Sequence, residues 1–186
     1  QKNAADLALR RLFAFVADAM EPLQAYRIDL AAGTRTKVAG RADADVTYFM
    51  YEGRGGAPFA VVSMADKPTL QYIKPESEWA KLHAGLLKSF PGSMVSFNDY
   101  TRDGNLVLFS VWSDRNAGEW YLFDQTAKKA QKLVDFRPWL TPAQMAPTRP
   151  ITFTARDGTK LFGLYTAKGT GPMPTIVMPH GGPFEV

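Results

Sequence analysis

The stretch Pro174-Thr-Ile-Val-Met-Pro-His-Gly-Gly-Pro-Phe184 sets a short apolar run against a pair of glycines. Thr175 to Met178 is rich in β-branched residues, has no polar face and is bounded by prolines. Such a run predicts a buried parallel strand. It leads into His180-Gly181-Gly182-Pro183. Glycines just past a strand let backbone N–H groups approach another group without side-chain interference. The other use of such a sequence is a simple tight turn. Only Glu185 and Val186 follow Phe184, so the groups that this loop would serve are expected elsewhere.

Working back from this stretch, Lys168-Gly-Thr-Gly-Pro172 is a polar loop. Before it, Ile151 to Ala155 alternates, Arg156-Asp-Gly158-Thr turns, and Lys160 to Thr166 returns. That pattern predicts a hairpin bent at Asp157-Gly158. Upstream, Arg137 to Pro150 holds Pro138, Pro142, Pro147 and Pro150, the composition of a domain linker. Within it, Thr141 is placed to cap a short helical turn with Pro142 at its first position.

The N-terminal part reads as strands. Residues 7–20 have helix-favouring Ala, Leu and Arg, yet Leu12 to Val16 also suits a strand. The sequence beyond decides: Gln24 to Leu30 alternates into a turn at Gly33, and Thr34 to Val38 is β-prone. The prediction is a hairpin, Leu12–Ala17 with Leu23–Leu30, backed by a third strand. A second copy follows, with Leu106–Trp112 and Glu119–Asp124 as strands joined by a loop over 113–119. At an offset of 95, Tyr26 and Asp29 match Tyr121 and Asp124, and Ala32, Lys37 and Val38 match Ala127, Lys132 and Leu133. That offset is two periods of the roughly 40–50 residues of a propeller blade. Between the copies, Val46–Tyr51, Phe59–Met64 and Leu70–Ile73 are further strands. One helix interrupts them over Glu76–Lys88, with Trp79, Leu82, His83, Leu86 and Leu87 on its apolar stripe and Phe90-Pro-Gly92 as its stop.

The composition is that of a globular protein: 46% hydrophobic, 22% charged, with 12 Phe, 7 Tyr and 4 Trp for the core. Disulfides and thiolate metal sites are excluded by the lack of cysteine. A net charge of +4 is scattered along the chain, without the stripe that nucleic-acid binding wants, so no nucleic-acid partner is expected. No apolar run approaches the roughly 20 residues of a membrane span, so no membrane partner is expected either. The sequence opens on Gln1 and shows no signal peptide, and it fixes no compartment.

Taken together, Thr154-Ala-Arg-Asp-Gly-Thr-Lys-Leu-Phe-Gly163, the apolar run and His180-Gly-Gly-Pro183 resemble the start of the catalytic domain in the prolyl oligopeptidase family of serine peptidases. The branch is that of acylaminoacyl peptidases and bacterial dipeptidyl peptidases, whose loop reads HGGP. Asn98 to Gly104, taken as a turn, and Ser113-Asp-Arg-Asn116 resemble late blades of that family's propeller. The resemblance implies a mainly β chain: partial β-propeller blades with one inserted helix over 1–137, a Pro-rich linker over 138–150, and the first strands of an α/β-hydrolase domain over 151–186.

In α/β-hydrolases an HGGG-type loop supplies an oxyanion-hole N–H. The resemblance gives that role to Gly182, with His180, Gly181 and Pro183 as loop support. Donors of this kind are each worth about 3–4 kcal/mol in the barrier. The implied chemistry is hydrolysis of short peptides through an acyl-enzyme, with no metal or cofactor. No G-x-S-x-G occurs, and in this fold the Ser, Asp and His of the triad follow the oxyanion loop. The chain alone is therefore expected to be inactive. Its expected partners are a short peptide substrate and the remainder of the catalytic domain, with self-association through unpaired strand edges. The other reading is a non-catalytic β module that binds a peptide or protein.

Among remaining candidates, His83 is expected in the core of its helix packing. With two histidines far apart in sequence, no metal site is expected. Asp99, Asp103 and Asp114 are expected to bond their own turns. Glu52, Glu76, Glu78 and Arg102 are the charges available to bind a peptide terminus, and the sequence does not choose among them. Trp112, Trp120, Tyr121 and Phe123 are expected between sheets.

Overall fold

The computed structural model describes residues 4–6, 11–18, 21–64 and 67–179, with side chains from residue 11 onward. Three antiparallel sheets follow one another along the chain. The first holds β1 (Ala4–Asp6), β2 (Arg11–Val16), β3 (Gln24–Asp29) and β4 (Thr34–Ala39). Next come β5 (Val46–Tyr51), β6 (Pro58–Met64) and β7 (Pro68–Tyr72), and then the helix α1 (Glu78–Ser89). The third sheet holds β8 (Met94–Tyr100), β9 (Leu106–Trp112), β10 (Glu119–Asp124) and β11 (Lys129–Asp135). A separate hairpin, β12 (Thr148–Thr154) with β13 (Lys160–Thr166), completes a mainly β architecture with one inserted helix.

β6 shows why the sheets stack. Its sequence, Pro-Phe-Ala-Val-Val-Ser-Met, is apolar on both faces, and six of its residues are buried. Side chains alternate across a strand. Val61 joins Phe13, Ala25, Val46 and Phe49 between the first and second sheets. Ala60 and Val62 join Val95, Val107, Phe109, Val111 and Phe123 between the second and third. Each fully buried Val or Phe contributes about 1.5–3 kcal/mol relative to exposure. The fourth strands β4 and β11 are polar and exposed, as outermost strands should be.

After β7 the chain leaves the strand pattern for α1. The Ser77 hydroxyl caps the helix by accepting from Ala80 N at 3.1 Å, and the Phe90 N–H closes it onto Leu86 O. His83 and Leu86 face inward, as the spacing predicts, and Ala80 is buried beside them. Gly53 in the β5–β6 turn and Gly104 in the β8–β9 turn both lie against the Trp79 indole. A Cβ on them would stand 3.1 and 3.5 Å from it.

The internal repeat holds residue for residue. The pairs Phe13↔Arg27 and Ala25↔Ala39 recur as Leu108↔Leu122 and Trp120↔Val134, each at an offset of 95. β-Bulges recur too, between Ala25 and Tyr26 and between Trp120 and Tyr121. Asp29 Oδ1 accepts from Ala31 N and Ala32 N at 3.0 Å, and Asp124 Oδ1 accepts from Thr126 N and Ala127 N at 2.8 and 2.9 Å.

Two expectations need correction, and one strand goes unpredicted. Thr175–Met178 forms no strand: it is extended, and Ile176, Val177 and Met178 are 87%, 82% and 86% exposed. A buried parallel strand needs neighbours, and no described strand pairs with this run. Asn98 to Tyr100 is not turn but the end of β8, and the turn begins at Thr101. Finally, β11 was legible only as matches in the repeat, because Lys-Ala-Gln-Lys-Leu-Val-Asp lacks an alternating apolar face. As an outer strand it buries almost nothing.

Candidate functional site

The predicted oxyanion loop, His180, Gly181, Gly182 and Pro183, lies outside the described residues. The approach to it is described. At the β12–β13 bend, Gly158 takes a left-handed φ of 87° and Asp157 Oδ1 accepts from Thr159 N at 2.9 Å. Those turn hydrogen bonds hold the Asp157 carboxyl below the usual carboxylate range. The hairpin carries Phe153, Phe162 and Leu164, all roughly half exposed or more. Asp114 ties it to the third sheet by accepting from Thr148 N at 2.8 Å. The turn reading of Asp114 missed this longer-range role.

A cavity of about 460 Å³ lies between the β9–β10 loop and the segment after β11. Ser110 and Trp112 of β9 line it, with Phe136, Arg137, Leu140 and Met145 from the other side. Local chemistry shapes the loop. Ser113 Oγ accepts from Arg115 N and Asn116 N, and Asn116 Oδ1 accepts from Gly118 N. Gly118, at φ 117°, donates no bulk where Phe136 passes: a Cβ there would stand 2.5 Å from the ring. Phe136 N in turn donates to Gly118 O at 2.9 Å.

The walls are mainly apolar, and Arg137 and Asp114 are the charged residues in the lining. Among the described residues no histidine lines the cavity. It is suited to an apolar group beside a polar or charged one. The linker reading missed these residues. Leu140 and Met145 among the prolines were the available signal.

His83 is fully buried. Its Nε2 lies 2.8 Å from Val95 O, which can only accept, so Nε2 carries the proton. Nδ1 then accepts from the Tyr72 hydroxyl at 2.8 Å. Burial pushes its pKa below the ordinary histidine value. Its edge-on contact with Phe97, centroids 5.2 Å apart, completes a packed core histidine. The Tyr100 hydroxyl donates to Tyr51 O at 2.7 Å, and burial beside Asp99 raises its pKa.

Of the charges offered for a peptide terminus, Glu52 pairs with Lys74 at 3.0 Å and Glu78 with Lys81 at 2.7 Å. Glu76 and Arg102 are exposed. Glu52, Glu78 and Arg102 sit on the turns and helix start that converge on Trp79, whereas Glu76 lies just ahead of the helix cap. Asp103 bonds Asn105 N and Thr101 within its own turn, as expected, whereas Asp99 lies at the end of β8 rather than in a turn and accepts from Tyr100 N. Tyr121 and Phe123 pack into the core between sheets. Trp112 and Trp120 lie on the opposite face of the third sheet, outside both cores. Among the described residues no group of three or more His, Cys, Asp or Glu is arranged for a metal, and no helix is long and apolar enough to cross a membrane.

No protein-family model matches the chain, and no curated protein matches it. Solved structures do. A puromycin hydrolase S511A mutant complexed with PGG is similar at 19% identity and a TM-score of 0.48, over 83% of this chain. A structure from a study of two prolyl endopeptidases is similar at 11% identity and a TM-score of 0.48, over 86%. The chain spans 23% of the length of each.

Proposed function

We propose that the chain is a segment of a serine peptidase of the prolyl oligopeptidase family. Residues 1–137 are propeller blades, 138–150 the linker and 151–186 the start of the α/β-hydrolase domain. The observation that carries the reading is an order: repeated sheets, then a D-G hairpin, then an apolar run ending in His180-Gly-Gly-Pro183. In this reading the remainder of the hydrolase domain covers the exposed β12–β13 hairpin and takes Thr175–Met178 as a strand. That accounts for apolar side chains otherwise left in water. Gly182 N–H then faces the tetrahedral oxyanion, and the triad comes from residues beyond this sequence.

The test is a fluorophosphonate probe applied to the whole protein and to this chain alone. Stoichiometric labelling of the whole protein, lost on pre-incubation with a short peptide substrate, is expected, with none on the chain alone. An unlabelled whole protein contradicts the reading. A second reading, a non-catalytic β module that binds a peptide or protein partner, is favoured by the cavity lined by Arg137 and Asp114, whose walls are otherwise mainly apolar.

A further inference from the structure

α1 packs on the second and the third sheet at once, and two of its side chains touch both. Trp79, in its first turn, lies against Gly53 of the β5–β6 turn and Gly104 of the β8–β9 turn. It also meets Tyr100 of β8 edge-on, with ring centroids 5.0 Å apart. One turn further, His83 is hydrogen-bonded to the two sheets through its two ring nitrogens. Nδ1 accepts from the Tyr72 hydroxyl of β7 and Nε2 donates to Val95 O of β8, both at 2.8 Å. Of the histidines, carboxylates and cations among the described residues, His83 is the one that is buried.

The ring's neighbours suit its neutral form. Phe59 of β6 and Phe97 of β8 stand with centroids 6.0 and 5.2 Å from it. The titratable group bonded to it is Tyr72. Tyr48 and Tyr100 of the same core are kept neutral by burial and bond Ser96 Oγ and Tyr51 O instead. The charged residues of α1 itself, Glu78, Lys81 and Lys88, are exposed. A proton on Nδ1 would turn that atom from acceptor to donor and deprive the Tyr72 hydroxyl of the acceptor for its own proton. It would also leave a charge without a counter-ion in an apolar core. Both penalties vanish when α1 moves out and the ring meets water.

We propose that His83 is an acid-sensitive latch, whose protonation lets α1 leave its place between the second and third sheets while the sheets themselves stay folded. Trp79 goes with the helix, so the β5–β6 and β8–β9 turns lose the indole on which both rest. Those turns carry Glu52 and Arg102, and Glu52 is tied at 3.0 Å to Lys74, just ahead of the helix. The latch thus governs the placing of two charged side chains on neighbouring sheets. The sign follows from burial, which lowers the pKa of the packed ring. The packed form refuses a proton that the opened form, with an ordinary value of about 6.5, accepts. Opening therefore grows as pH falls below about 6.5, by about 30-fold between pH 7.5 and 5 for one such group. The site is closed within the chain, and the inference does not depend on the peptidase reading.

Amide hydrogen exchange of the whole protein at pH 7.5 and 5, corrected for intrinsic rates and read by mass spectrometry, tests it. Protection of the α1 amides from Leu82 to Phe90 should fall about 30-fold at the lower pH, while that of β2 and β3 in the first sheet holds. In His83→Gln, which carries no titrating ring, α1 protection should be the same at both values. Should that variant fail to fold, the slow exchange of the His83 ring C–H in the unaltered protein replaces it. A ring titrating below about 6.5 is then expected. Four results overturn the inference. They are α1 protection that does not change with pH, an equal loss in α1 and the first sheet, a loss that persists in a folded His83→Gln, and a His83 ring that titrates at or above about 6.5.

Discussion

Gly33 and Lys128, 95 residues apart, hold the same left-handed turn position, with φ of 65° and 53°. Each follows an aspartate, Asp29 or Asp124, whose Oδ1 accepts two backbone N–H groups of the turn. Each precedes an outer strand, β4 or β11. Lysine is thus the residue in the third sheet that bears the steric cost glycine avoids in the first. For an L-residue that cost is roughly 1–2 kcal/mol.

Lys128→Gly should therefore stabilise the chain, by about 0.5–1 kcal/mol once the greater freedom of glycine in the unfolded state is counted. No heavy atom would lie within 4 Å of a Cβ on Gly33, so Gly33→Ala should lose about 1 kcal/mol from φ alone. Urea midpoints of the two variants, moving in opposite directions, check the equivalence.

Asp29→Ala and Asp124→Ala should each destabilise by about 1 kcal/mol, the scale of one lost local capping interaction. The turns share no partner and lie in different sheets. The double variant should lose the sum within about 0.5 kcal/mol. A coupling above that would show that the two sheets respond to one another at these ends.

His83 sets a pH dependence. Its folded pKa is depressed by burial, so the neutral ring is the one the core accepts. The stability it contributes is complete above its unfolded value of about 6.5 and is lost as pH falls through the lower folded value. Chemical denaturation at pH 7.5 and 5 should show a loss on acidification that His83→Gln removes. His83→Gln should also cost about 2 kcal/mol at pH 7.5, by loosening the hydrogen bonds to Val95 O and the Tyr72 hydroxyl. A pH profile unchanged by the substitution would assign the acid loss to carboxylates.

Gly53 cannot take a side chain without meeting Trp79. Its φ is 65° and the nearest indole carbon would lie 3.1 Å from a Cβ. Gly53→Ala should destabilise by about 1–3 kcal/mol, combining backbone strain with overpacking. The Trp79 fluorescence spectrum should shift with it. A variant with unaltered fluorescence and stability would mean that the turn does not rest on the indole.

Much of the fold was legible because apolar residues alternate where a strand has one buried face, or run continuously where it has two. Gln24–Asp29 and Pro58–Met64 are examples. The helix was legible from Trp79, Leu82, His83, Leu86 and Leu87, and its cap at Ser77 moved its start by two residues. β8 was half legible, because Asn98 and Asp99, residues typical of turns, occupy the end of the strand. β11 was hidden because an outermost strand needs no apolar face. The cavity beside Trp112 was not legible, since it forms where the segment after β11 folds back past β10 onto the end of β9 and the loop that follows it. Thr175–Met178 shows the reverse case: a strand-like composition with no partner to make it a strand.

The account turns on Gly182 as an oxyanion donor, and Gly182→Pro tests that most directly, since proline removes the N–H. Steady-state hydrolysis of a short peptide by the whole protein should lose on the order of 10²–10³ in kcat, with KM little changed. An unchanged kcat would contradict the assignment.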